Sequence, residues 1–128
     1  MLNTLIVDDD PVFRQIVREI LISKFSPISV SDAANGKEAL QEFDTHRPDI
    51  VFMDIKLSDT NGIELTRKLK ELDPKVPIVI LTNHDILQYR EAAFEHGADY
   101  FISKASTIEN EIEAAVQSAC FSRNQIAK

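Results

Sequence analysis

Short apolar runs alternate along the chain with longer stretches in which apolar residues recur every three or four positions. The run at 2–7 (LNTLIV) reads as a strand. Phe13, Ile16, Val17, Ile20 and Leu21 then mark one face of a helix, with Pro11 suited to its first turn. An alternating stretch at 27–32 (PISVSD) predicts a second strand, and Ala39, Leu40 and Phe43 a second helix that ends before Pro48. The nearly continuous apolar run at 49–54 (DIVFMD) suits a central strand covered on both faces. Asn61-Gly62 is a loop signal, and Ile63, Leu65, Leu69 and Leu72 predict a third helix. A fourth strand follows at 77–82 (PIVILT). Ile86, Arg90, Ala93 and Phe94 trace a fourth helix, stopped at Gly97, a glycine placed for a left-handed cap. A fifth strand at 99–103 (DYFIS) leads to Ile108, Ile112, Ala115, Val116 and Ala119, a last helix reaching about residue 121.

Five strand–helix units in a row predict an α/β fold, a doubly wound parallel sheet of five strands with helices on both faces. Residues 1–122 are expected to form one domain, and 123–128 a C-terminal tail or the start of a linker. The chain has 128 residues, 44% hydrophobic and 27% charged, which excludes a disordered composition. Its net charge of −7 disfavours a general grip on nucleic acid, which wants a basic face. Cys120 is the single cysteine, so no internal disulfide forms, and its expected place is a half-buried apolar position on the last helix. The start MLNTLIVDDD lacks a basic segment and a long apolar run, and no stretch approaches a membrane span, so the cytoplasm is the expected location.

Strand ends matter most, because ligands of doubly wound sheets gather at the carboxyl ends of the strands. Strand one ends at Asp8 and Asp9, strand three at Asp54 and strand four at Thr82, while Lys104 directly follows strand five. Carboxylates crowded at one edge resist ionising together. A hard divalent cation, Mg²⁺ (or Mn²⁺), is the natural compensation, since it takes oxygen ligands and keeps several waters. A carboxylate can also attack phosphorus and form an aspartyl phosphate. The metal, the Lys104 ammonium and the Thr82 hydroxyl would then cover the three phosphoryl oxygens.

The stretches LIVDDDP, DIVFMDIKLSDTNGIEL, PIVILT and GADYFISK, in this order and each at a strand end, resemble a response-regulator receiver domain, the phospho-accepting module of two-component signalling. The motifs span residues 2–104, and the last helix extends the match to about 121. The resemblance implies a flavodoxin-like (βα)5 fold with strand order 2-1-3-4-5. It implies Asp54 as phosphoacceptor, Asp9 as direct Mg²⁺ ligand, Asp8 acting largely through water, and the Lys56 backbone carbonyl as the remaining protein ligand. Lys104 takes the place of the phosphate-pairing lysine, Thr82 of the switch hydroxyl and Phe101 of the switch aromatic. The implied donor is a histidine kinase or a phosphotransfer protein. The output runs through the surface of the fourth helix, fifth strand and fifth helix (Tyr89, Phe94, Tyr100, Phe101), to a downstream protein, a fused output domain or a second copy.

The chain departs from the family pattern at three places. Ala105 stands where proline commonly follows the lysine, and the KAS form is similar to receivers joined to helix-turn-helix output domains. Asn83 is larger than the small residue usual after the switch hydroxyl. Lys56 and His84 fill the two variable positions flanking the site, which tune phosphoryl lifetime, so that lifetime is expected to depend on pH in the histidine range. Plainer roles compete. Asp8 and Asp9 alone would suit a turn, Asp10 a helix N-cap, Phe101 the core, His46 and His96 helix ends, and Arg14 and Arg18 solvated surface. A haloacid-dehalogenase-type phosphohydrolase would need a second acid two residues after its nucleophile, where Lys56 stands. A flavin carrier would need a glycine- and hydroxyl-rich loop in place of DDDPVF, and a receiver-like module that never takes phosphate has no need of the full acidic set. Only seven residues follow Phe121, too few for an output domain, so the reading is a stand-alone receiver or the N-terminal part of a longer regulator.

Overall fold

The computed structural model describes residues 1–121. The elements are β1 (Leu2–Val7), α1 (Pro11–Phe25), β2 (Ile28–Ala33), α2 (Gly36–His46), β3 (Ile50–Met53), α3 (Gly62–Leu72), β4 (Ile78–Thr82), α4 (Leu87–Glu95), β5 (Tyr100–Ser103) and α5 (Ile108–Val116), whose end widens into a π-type turn over Gln117–Phe121. All strand pairs are parallel, in the order β2-β1-β3-β4-β5. Val7 sits opposite both Ala33 and Met53, and Thr82 opposite Ser103, so the strands finish along one edge.

Alternate strand residues feed two cores, as the period of two requires. Leu5, Val7, Val51, Met53, Ile78 and Ile80 face α2, α3 and α4, meeting Phe43, Leu65, Leu69 and Ala93. Ile6, Ile50, Phe52, Val79, Leu81 and Ile102 face α1 and α5, meeting Val17, Leu21, Ile112 and Val116. β3 and β4 are buried throughout, whereas the edge strand β2 is half-buried except at Ala33.

The predicted helix faces are too wide in places. Ile16 is exposed although it neighbours fully buried Val17, because one residue turns a helix by about 100°. Leu72, Ile86 and Phe94 are exposed as well. Cys120 is buried rather than half-buried. Gly97 has a φ of 108° and ends α4 as expected. Among the described residues no helix is long and apolar enough to cross a membrane. The proposed tail, 123–128, lies outside the described residues.

Candidate phosphoacceptor site

Asp8 and Asp54 are each fixed by the backbone of a neighbouring strand. The Asp8 N–H donates to Ala33 O at 3.0 Å, and the Asp54 N–H to Val7 O at 2.9 Å. Both residues are nearly closed to solvent, at 3% and 6% exposure, while Asp9 is exposed. Asp8 Oδ1 accepts the Asp10 N–H at 2.9 Å, and Asp54 Oδ1 accepts the Ile55 N–H at 2.8 Å. Asp10 caps α1 by accepting the Val12 N–H at 2.9 Å.

Lys104 closes the group. Its Nζ lies 2.7 Å from Asp8 Oδ2 and 3.2 Å from Asp54 Oδ2, with only 8% of the side chain exposed. The Lys104 N–H donates to Thr82 O at 2.9 Å, which ties the β5 end to β4. Burial pushes the Asp8 carboxyl above the ordinary carboxylate range. The Lys104 and Asp10 hydrogen bonds oppose that shift, and the charge of Asp54 adds to it. Burial likewise works against the Lys104 ammonium, but the hydrogen bond to Asp8 and the charges of Asp54 and Asp8 outweigh it, and its pKa is raised.

Carboxylate oxygens of Asp8, Asp9 and Asp54 all lie within 4.8 Å of one another. Two ligands at ~2.1 Å on opposite sides of Mg²⁺ stand about 4.2 Å apart, so a small adjustment would bring these hard donors onto one ion. The donor set fits a magnesium-sized cation.

The other expected residues stand around this group. Thr82 is fully buried at the end of β4, and its hydroxyl accepts the His84 N–H at 3.2 Å. Phe101 is buried on β5, with the Arg90 guanidinium 4.6 Å from its ring centre. Lys56 reaches Tyr89, Nζ to hydroxyl 3.1 Å, and the His84 ring meets the Tyr89 ring edge-on at 6.3 Å. Asn83 and His84 are both exposed. After Lys104 the loop is held by serines: the Ala105 N–H donates to Ser103 Oγ at 3.2 Å, and Ser106 Oγ to Ser103 O at 2.7 Å.

Arg14 and Arg18 are not simply solvated. Both pair with Asp32 on β2, at 3.3 and 3.4 Å, and Arg14 Nη1 donates to Asp8 O at 2.6 Å. They lie one turn apart on α1, the spacing that brings two side chains onto one face. His46 and His96 do sit at helix ends.

Two contributors escape the motif reading. Gly62 packs so close to the end of β3 that a Cβ there would stand 1.9 Å from Asp54 O, and its N–H donates to Ile55 O at 2.7 Å. The Asn61-Gly62 pair therefore does more than turn the chain. Asp59, in the same loop, accepts the N–H groups of Gly36 and Lys37 at 2.8 and 3.0 Å and so caps α2 from 23 and 22 residues away. These bonds hold its carboxyl below the usual range.

The family model of the response regulator receiver domain matches residues 4–117. The chain belongs to the response regulator receiver family. A response regulatory protein of Vibrio cholerae is 37% identical over 108 residues, covering 82% of this chain and 40% of the relative. The probable transcriptional regulatory protein TcrX of Mycobacterium tuberculosis is 31% identical over 107 residues, covering 84% of this chain and 45% of the relative. The receiver thus spans about half the length of the curated relatives it matches. A CheY-like receiver domain from Methanospirillum hungatei superposes with a TM-score of 0.86 at 26% identity, covering 98% of each chain. A LuxR-family response regulator from Aurantimonas gives 0.82 at 33% identity, covering 91% of this chain and 82% of the other. The flavodoxin-like architecture and its role as a two-component signalling receiver agree with the sequence reading.

Proposed function

We propose that Asp54 is the phosphoacceptor of this receiver and that a histidine kinase, or another phosphohistidine protein, is its donor. The observation that carries the reading is the convergence of two buried carboxylates from β1 and β3 on one buried ammonium from the end of β5, with Asp9 beside them. An Asp54 carboxylate oxygen attacks the phosphorus, the P–N bond breaks, and the imidazole leaves with its electron pair and takes up a proton. The Lys104 ammonium offsets the charge of the transferring group, and the Thr82 hydroxyl donates to a phosphoryl oxygen. Asp8, Asp9, Asp54 and the Lys56 carbonyl would hold Mg²⁺, which neutralises charge on the phosphoryl oxygens when bound. Water later attacks the acyl phosphate and restores Asp54, so the chain assists only its own phosphorylation and dephosphorylation.

Thr82 and Phe101 carry the change to the surface of α4, β5 and α5, where a partner protein, an output domain or a second copy engages. Lys56, Asn83 and His84 tune access to Asp54 and the phosphoryl lifetime. A net charge of −7 disfavours nucleic-acid binding through this domain.

Acetyl phosphate and Mg²⁺ test the assignment by intact mass. The chain is expected to gain one phosphoryl group, only with the metal, and the Asp54→Asn protein none. An equal gain in that variant would remove Asp54 from the role.

A further inference from the structure

Lys104 has a third neighbour besides the two carboxylates. Its Nζ stands 4.1 Å from the centre of the Phe13 ring. Phe13 lies in the first turn of α1, three residues after the helix cap Asp10, and it is half-buried rather than sunk in the core. An aromatic face carries negative charge density and attracts a cation, most strongly where water is excluded. The Lys104 side chain is 8% exposed, so the contact is largely dry.

The geometry points to Phe13 as a positioning residue: its ring holds the Lys104 ammonium over Asp8 and Asp54, where the phosphoryl group is to be met. This deepens the proposed role of Lys104 and rests on it. An ammonium has three N–H donors on a flexible four-carbon stem. Asp8 and Asp54 take two of them, and the ring covers a further side. One of these carboxylates changes during transfer, because Asp54 becomes an acyl phosphate. The ring does not change, so it keeps the ammonium in place while its hydrogen-bond partners are exchanged. Leucine would fill the same space without that charge density.

The test replaces Phe13 with mono-, di- and trifluorophenylalanine, which weaken the negative face while nearly keeping ring shape, and with leucine. The rate of acetyl phosphate-driven phosphorylation with Mg²⁺ is expected to fall stepwise along the fluorinated series. Phe13→Leu should be about fivefold slower, within the range of a desolvated cation–π contact. Thermal midpoints should stay together across the fluorinated proteins. In parallel, NMR of the Lys104 ε-methylene should show an upfield ring-current shift that shrinks along the series and vanishes in Phe13→Leu. Equal rates and equal Lys104 shifts across the fluorinated series would reduce Phe13 to packing and overturn the inference. Should the unaltered chain take no phosphoryl group, the acceptor reading falls, and the Lys104 shifts alone still decide whether the ring holds the ammonium.

Discussion

α3 starts on Asn61, whose side chain accepts the Glu64 N–H at 2.9 Å, and its first residue lies against the backbone of Asp54. The Thr66 hydroxyl donates back to Gly62 O at 2.7 Å, and Gly62, Ile63, Leu65, Thr66 and Leu69 are all buried. α4 starts on Ile86 with no side-chain cap, and Ala93 is its one buried residue among those described. Ile86 is 49% exposed and Leu87 66%. The two helices follow neighbouring strands of the same sheet, yet the first turn of one is capped and buried, while that of the other has no side-chain cap and no buried residue. Local opening costs least where buried contacts and satisfied ends are few. On the proposed reading, the Asp54 side of the site is therefore expected to stay still, and the α4 side to move on phosphorylation.

The strongest way to break this contrast is Gly62→Ala. A Cβ 1.9 Å from Asp54 O must push α3 off β3. Denaturant unfolding should show a loss of about 3 kcal/mol, at the upper end for overpacking, and the acceptor side should then open as readily as α4.

Magnesium gives the next largest effect. At a hundred times its dissociation constant, a metal that binds only the folded chain stabilises it by about 2.7 kcal/mol. Thermal melts should show that gain in the unaltered chain and lose it in Asp8→Asn. In chelator the sign reverses. Folded Asp8 keeps its proton to higher pH than unfolded Asp8, because burial raises its pKa. Stability therefore falls as pH rises from the ordinary carboxylate range through the raised value. The Asp8→Asn protein lacks that fall, so its advantage should grow from pH 3 to 7.

Asp59→Ala should lower the thermal midpoint by freeing the first N–H groups of α2. Its carboxyl is held below the usual range, so its contribution is present above that range and fades as pH falls through the lowered value. Melts at pH 7 should separate variant and parent more than melts at pH 2. The smallest change sharpens the contrast from the other side. Ile86→Ser supplies the cap that α4 lacks and should add about 0.5–1 kcal/mol, read as slower amide exchange in the first turn of α4.

Strand placement was legible because apolar runs of four to six residues, ended by Asp or Thr, mark buried parallel strands without tertiary knowledge. Asp8, Asp54 and Lys104 were legible for the same reason, since a parallel sheet gathers its strand ends on one edge. Asp10 was readable as a cap from its place before Pro11. Long-range partners were not. Nothing near Asp59 signals a helix start 23 residues earlier, and Arg14 and Arg18 meet Asp32 only once β2 lies beside α1. Asn61-Gly62 was seen as a turn, but the need for glycine comes from the Asp54 backbone across the gap. Helical spacing also counted Ile86 and Phe94 into a core face, although both are exposed. Periodicity reports which residues share a stripe, not whether another element covers it.

Amide hydrogen exchange, with and without acetyl phosphate and Mg²⁺, tests the central claim most directly. Phosphorylation of Asp54 is predicted to change exchange in α4 and β5 while β3 and the first turn of α3 stay protected. Exchange that changes first in α3, or equally in both helices, would contradict it.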